Sequence, residues 1–298
     1  MKLVERKHIN IERWDALVES TPSASVFSLS AYLDAVAENW SVLVDDEYRA
    51  GMVLPFAVRF GVKTLYTPIF ARYTEWLGLP LQGEQIVEEI RKYFPEAQFN
   101  FNGDLPGLTS NEFVFQVIEP GKERATYGSQ AKRMLSKFEK SGMSIHESQE
   151  DEEVLARIRK ELPSKVSALN DRSLDRLDQL ISDLRKKGFL RILEVKDGEK
   201  TVGGIFLVEF NKRVLYLKGA FAEKSKKEGA MYGAMDFAIK MAMNRDLMFD
   251  FGGSRVDGVR TFNCNLGGKD QLYFEYRWDN APRWFSWLKK ANRTWKRK

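Results

Sequence analysis

Cysteine and histidine are almost missing from this chain. Among 298 residues Cys264 is alone, and the two histidines, His8 and His146, lie far apart in sequence. A single thiol excludes an intramolecular disulfide and any multi-cysteine metal site. Two distant histidines argue against a histidine triad or a histidine-rich metal centre, so no metal is expected. Neither G-x-G-x-x-G nor G-x-x-x-x-G-K-[ST] occurs, which leaves a dehydrogenase or a P-loop kinase without its phosphate-binding loop. No segment reaches the ~18–20 uninterrupted apolar residues of a membrane-spanning helix. The opening MKLVERKHINIERW is charged and has no signal-peptide core. A cytoplasmic protein is the expectation.

What is present is a folding composition, 43% hydrophobic and 30% charged, long enough for one large or two ordinary domains with separate cores. The stretch from Lys187 to Tyr276 organises the rest. Residues 188–195 and 202–210 are apolar, rich in β-branched and aromatic side chains, and joined by Lys196-Asp197-Gly198-Glu199. An Asp-Gly between two such runs signals a strand–turn–strand. Residues 214–221 read as a third strand. A charged loop at 223–228 leads through Gly229 into a helix over about 230–244, then a strand at 247–251 and the turn Gly252-Gly253-Ser254.

The earlier part alternates in the same way. Helices are predicted at 11–19, 28–39 and 84–93, with strands at 40–44, 51–60, 65–70, 97–101 and 113–118. A basic helix follows at 127–141, stopped by Gly142. A strand at 144–147 and charged amphipathic helices at 150–162 and 173–187 come next, around a loop at 163–171. No short-period repeat is visible.

The run GGIFLVEFNKRVLYLKGAF, the basic loop and helix, and FDFGGS-x3-G-x3-FN-x3-GG from Phe249 to Gly268 resemble the second half of the FemAB family and the related bacterial "acetyltransferase 6" group. Both belong to the GNAT superfamily of N-acyltransferases. The early W-x-x-L-V-E-S-T-P-x-A-S-V-F is similar to the start of many such chains. The resemblance implies an α/β fold of α+β type. It would hold tandem GNAT-like domains, each a mixed, mainly antiparallel sheet flanked by helices: a degenerate domain at 1–140, a second at 141–282, and a basic amphipathic helix at 283–298. It also implies acyl or aminoacyl transfer to an amine, in a cleft between the halves, with a peptidoglycan or cell-envelope connection.

The same resemblance assigns the candidate residues. A GNAT loop offers backbone N–H groups and a helix N-terminus to the pyrophosphate of acyl-CoA. Here the matching register holds Lys226, Lys227 and Gly229, with Met231 where a small residue is expected. No cofactor is therefore expected to bind tightly, and acyl-CoA or aminoacyl-tRNA enters as co-substrate. Asp250, between Phe249 and Phe251, is either a general base or an acceptor for the turn amides. Gly252 and Gly253 allow close backbone approach to a ligand, and Ser254 and Arg255 are candidates for phosphate contact. At Phe262-Asn263, bridge-forming relatives carry Phe-Lys, whose cation stabilises negative charge. Asn263 keeps hydrogen bonding and lacks that field. Lys218 and Lys269 are candidate substitutes, Tyr216 and Tyr232 candidate cleft groups. Arg72 and Tyr73 lie where relatives gather substrate-binding residues. Cys264 has no base nearby in sequence and reads as inert rather than nucleophilic.

Seven of the last sixteen residues (Arg283, Lys289, Lys290, Arg293, Lys296, Arg297, Lys298) are basic, and none is acidic. Trp284, Trp287, Leu288, Ala291 and Trp295 share one helical face. That pattern suits peripheral contact with an anionic membrane at its inner face, docking of the tryptophans on the body, or contact with RNA. The functional expectation is an acyltransferase with a small-molecule or lipid-linked amine acceptor. The alternative is a non-catalytic GNAT scaffold that binds a partner.

Overall fold

The computed structural model describes residues 1–121, 126–150, 152–165, 170–253, 255–285, 287 and 288. It divides into two compact units, one of residues 1–113 with 273–298 and the other of 114–272.

In the first unit the elements run β1 (Lys2–Glu5), α1 (Ile11–Ser20), α2 (Ser30–Val36), β2 (Asn39–Val44), β3 (Ala50–Arg59), β4 (Val62–Tyr66), β5 (Leu77–Gly78), α3 (Gly83–Arg91) and β6 (Glu96–Phe101). The second unit takes in the end of β7 (Ser110–Ile118), then α4 (Ser129–Lys140), β8 (Ser144–Ser148), α5 (Glu152–Lys165), α6 (Asp171–Lys186), β9 (Leu190–Asp197), β10 (Lys200–Phe210) and β11 (Arg213–Phe221). It continues with α7 (Glu223–Lys227), α8 (Ala230–Met243), β12 (Met248–Asp250), α9 (Asp257–Asn265) and the start of β13 (Lys269–Asp279).

Within the first unit the strands pair in the order β1-β2-β3-β4-β6-β13, and within the second in the order β8-β9-β10-β11-β12-β7. Every pair is antiparallel except β4 with β6 and β11 with β12. A parallel pair needs a crossover, and the helices α3 and α8 supply it. The two units therefore share one plan. An edge strand and two helices lead into a three-stranded meander, then a crossover helix and a parallel strand. The expected tandem arrangement of mainly antiparallel sheets flanked by helices is what the chain adopts.

A division at 140/141 is not where the compact units part. The last antiparallel strand of the first unit is β13, which follows the second unit in sequence. That of the second unit is β7, which precedes it. Phe274–Asp279 pair with Phe101–Glu96, and Val117 and Ile118 pair with Asp250 and Phe249. Backbone pairing decides membership here, and strand pairing has no local signature in sequence.

Separate cores hold the units. In the first, Ile86, Val87 and Ile90 of α3 lie one turn apart and pack on Phe56, Leu65, Phe94 and Phe99. In the second, Ala230, Ala234, Met235, Ala238 and Ile239 of α8 pack on Leu207, Val214 and Phe249. Each fully buried large side chain contributes about 1.5–3 kcal/mol of transfer free energy. The small residues of α8 also admit α4. A Cβ at Gly233 would lie 2.5 Å from the Phe138 ring.

Several local expectations are corrected. The helix expected over 28–39 is only Ser30–Val36, because Asn39 already belongs to β2. The strand expected at 65–70 ends at Tyr66. The charged loop 223–228 contains the short helix α7, and α9 was not foreseen at all. Helix α5 runs to Lys165, three residues into the expected loop, and residues 166–169 of that loop lie outside the described residues.

Candidate active site

Where β11 and β12 run side by side, the pairing goes Arg213–Met248, Val214–Phe249, Leu215–Asp250 and then stops. β11 continues to Phe221, whereas the other chain turns away through Gly252 and Gly253, at φ of 83° and 77°. A bulge sits at this point. Phe206 of β10 pairs with Lys218 and Leu207 pairs with Tyr216, so Leu217 is the extra residue. An inserted residue bends its strand and raises its twist, which draws β11 away from β12. The sheet thus opens between its parallel strands.

Gly252 fits this opening because it has no side chain. A Cβ there would stand 2.4 Å from the carbonyl oxygen of Tyr216. Asp250 holds the turn. Its Oδ1 accepts the Gly252 N–H at 2.9 Å, and its Oδ2 accepts from Arg213 Nη1 at 3.1 Å. The carboxyl is fully buried, between strand neighbours Phe249 and Phe251 whose rings meet edge-on at 5.0 Å. Of the two roles considered for Asp250, the acceptor for the turn amide has a visible partner. A base role would act from beneath the turn rather than from an open cleft wall.

Beyond the bulge, Lys218 keeps part of its surface open, yet its ammonium lies deep enough for desolvation to lower its pKa. Burial raises the Tyr216 phenol. Burial also raises Tyr232, with Arg133 of α4 working against the shift. Tyr232 and Phe262 pack edge to face with centroids 4.7 Å apart, joining α8 to α9.

Asn263 is buried and committed. Its Nδ2 donates to Gln116 Oε1 at 2.8 Å, and Gln116 Nε2 donates onward to Asp270 Oδ1 at 2.8 Å. Asp270 closes the chain on Arg260 of α9, whose Nε lies 3.1 Å from Oδ2. The neutral amide thus ties α9 to β7. Gln116, Asp270 and Arg260 were not singled out in the sequence, because Gln116 and Asn263 are 147 residues apart. The Arg260 guanidinium holds Asp270 below the usual carboxylate range, and Gln116 adds to the effect. A depressed carboxyl contributes stability that is present above its unfolded pKa, ~3.9, and lost as pH falls through the folded value. Melting temperature followed from about pH 5 downward should therefore drop less steeply in Asp270→Asn than in the unmodified protein. Parallel curves would show that the pair carries no such linkage.

The loop before α8 is less open to phosphate than its sequence suggests. Lys226 Nζ is paired with Glu161 of α5 at 2.7 Å and with Glu223 at 2.6 Å. Lys227 is exposed. Gly229 is buried at φ 92°, where a Cβ would lie 2.2 Å from the Met134 carbonyl oxygen of α4. Arg255 is exposed, and Ser254 lies outside the described residues. Cys264 is exposed, with its thiol pushed up by partial desolvation and by Asp270; neither effect makes a nucleophile.

Arg72 and Tyr73 belong to the first unit. Arg72 is buried, its guanidinium 5.7 Å from the Phe27 ring centroid and 5.5 Å from that of Tyr73. Also buried in that unit, and missed in sequence, is Glu75. Its Oε1 accepts from Ser25 N at 2.8 Å, Ser25 Oγ at 2.6 Å and Ser28 Oγ at 3.1 Å. An open cleft of about 620 Å³ lies elsewhere in the first unit, between Arg13 and Leu79. Its Arg13 is engaged by Glu47 and its Arg49 by Asp45. Among the described residues no three His, Cys, Asp or Glu side chains gather as a metal site, and no helix is long and apolar enough to cross a membrane.

Residues 125–260, a little under half of the chain, match the family model described as an acetyltransferase (GNAT) domain. No curated protein sequence matches the chain. Among solved structures, FemX is similar over 94% of this chain and 98% of its own, at 13% identity and a TM-score of 0.63. L-PGS from Bacillus licheniformis is similar over 93% and 94%, at 12% identity and 0.61. A tandem GNAT protein from the clavulanic acid biosynthesis pathway is similar over 94% and 99%, at 9% identity and 0.50. At such identities the likeness is one of fold. The opened parallel pair, the bulge beside it and the crossover helix stand in the segment that the family model covers; residues 125–260 are thus similar to the acetyltransferase (GNAT) domain, and the chain adopts a tandem GNAT-like fold.

Proposed function

We propose that the protein is an acyltransferase that moves an acyl or aminoacyl group from an activated carrier to an amine. The observation that carries this reading is the opening between β11 and β12 immediately after Leu215 and Asp250. An acyl carbonyl entering there meets strand backbone in place of a neighbouring strand, and fixed amide dipoles stabilise a developing oxyanion without reorganising. The amine nitrogen attacks the acyl carbon, and the carbon–oxygen or carbon–sulfur bond to the carrier breaks. The amine loses a proton and the departing carrier oxygen or sulfur gains one.

Lys218 is the side chain suited to the proton. Its lowered pKa raises the neutral fraction that can accept it, and the bulge places it beside the opening. The buried phenols of Tyr216 and Tyr232, both raised, stay protonated and serve as donors. Lys218→Met is expected to lower transfer by about 10²-fold or more while the melting temperature stays high. Equal loss of folding and activity would return Lys218 to a packing role. Asp250→Asn is a poor discriminator, since that carboxyl is part of the fold.

The carrier is the next question. Acyl-CoA is the donor that a GNAT domain implies, but Lys226 is already held by two carboxylates and α4 lies against the first turn of α8. Both features favour an aminoacyl-tRNA or another ester carrier over a CoA held at its pyrophosphate. Thermal-shift titration with acetyl-CoA, longer acyl-CoAs and aminoacyl-tRNA tests this, because a ligand that binds the native state raises the melting temperature. A shift with a CoA ester alone would reverse the preference. The acceptor in this proposal is a small or lipid-linked amine of the cell envelope, used from the cytoplasmic side. Buried Asn263 at the Phe-Lys position favours a second reading, a scaffold that binds a partner without transfer. No shift and no transfer with any donor would support it.

A further inference from the structure

The end of the chain divides its aromatic side chains between body and solvent. Residues 283–285 and 287–288 are helical. Phe285 is fully buried, its ring 6.4 Å from that of Phe60 at the β3–β4 turn, and Phe285 N–H bonds the Pro282 carbonyl at 2.9 Å. The tryptophans do the opposite, with Trp284 50% and Trp287 70% exposed. Of the alternatives read from the sequence for this stripe, docking on the body does not hold at Trp284 and Trp287, which are exposed, and the docked residue is one that the stripe leaves out. Phe60 and Val58 stay 50% and 44% exposed beside this anchor. Phe60 and Trp284 thus reach solvent against one docked phenylalanine, with Val58 and Trp287 exposed on the same two chain segments.

Scattered exposed apolar residues need no explanation, but a clustered patch marks an interaction surface. Charge selects the partner. From Arg283 onward the chain has seven basic residues and no acidic one. Two copies facing each other would oppose these charges, which disfavours self-association through this face. Indoles prefer the headgroup level of a bilayer, and each nearby Lys or Arg adds attraction to anionic lipid. Val58 adds aliphatic surface, which gains from leaving water and offers nothing to a nucleic-acid base.

We infer that the Val58, Phe60, Trp284 and Trp287 patch docks the protein on an anionic lipid bilayer. The inference does not depend on the acyl-transfer reading. Sedimentation with phosphatidylcholine vesicles, with and without phosphatidylglycerol, tests it. The intact protein should co-sediment with the mixed vesicles, less so at high salt, and remain in solution with phosphatidylcholine alone. Trp284→Ser with Trp287→Ser should weaken binding by about tenfold per indole and leave the melting temperature unchanged, since both side chains are exposed. Phe60→Ser should weaken it in the same direction. Unaltered vesicle binding in the double variant would overturn the proposal. So would binding of single-stranded RNA, lost in the same variant, by a protein that ignores vesicles.

Discussion

Replacing Arg213 by Met is expected to lower the stability of the protein by about 3–5 kcal/mol. Asp250 is fully buried, and Arg213 Nη1 stands 3.1 Å from its Oδ2. Taking the guanidinium away removes the facing cation from a carboxylate buried inside the sheet, and truncating one partner of such a pair is costly. Asp250→Asn should cost less, because an amide keeps the acceptor for Gly252 and buries no charge. The double variant Arg213→Met with Asp250→Asn should be more stable than Arg213→Met alone, as expected when the penalty comes from an unpaired charge. Urea unfolding of the four proteins gives the cycle. If Arg213→Met unfolds within about 1 kcal/mol of the parent, well below the range for a broken buried pair, the pair does not hold the turn.

Gly229→Ala is the second large effect, about 2–5 kcal/mol from two additive sources. At φ 92° an L side chain is strained, which costs roughly 1–2 kcal/mol. The new Cβ would also lie 2.2 Å from the Met134 carbonyl oxygen and 3.1 Å from its carbon. Backbone of a packed helix cannot step aside as a flexible side chain can, so the overlap adds roughly 1–3 kcal/mol. Two controls separate these sources. Gly198→Ala has positive φ, 61°, and nothing within 4 Å, so it carries strain alone. Gly233→Ala meets only the Phe138 ring, at 2.5 Å, so it carries crowding alone. Thermal melts should rank Gly229→Ala well below both. A Gly229→Ala protein as stable as Gly198→Ala would mean that α4 does not press on α8.

Local chemistry made much of this protein legible. Asp197-Gly198 marks the β9–β10 turn, with Gly198 at φ 61°. Apolar runs fixed the meander β9-β10-β11 nearly to the residue, and Gly229 announced the start of α8. Period-two and period-3.6 patterning act over a few residues, and a reader of the sequence has those residues in hand. Resemblance in FDFGGS and its surroundings then gave the superfamily.

Tertiary structure alone decided what each candidate side chain touches. Asn263 became a strut because Gln116, far earlier in the chain, faces it across α9 and β7. Lys226, a candidate for phosphate in the sequence, is paired with Glu161 of α5, 65 residues earlier. Asp250 could be named from sequence, but its burial and its bond to Arg213 depend on the parallel pairing of β11 and β12. The exchange of β7 and β13 between the units is also a matter of partner choice. A strand's sequence states that it will pair and which face it buries; which strand it meets follows from the whole chain's packing. The tail shows both sides of this. Its tryptophan stripe and its charge belong to the sequence, and the burial of Phe285 beside Phe60, a ring on a turn more than two hundred residues earlier, comes from the tertiary structure.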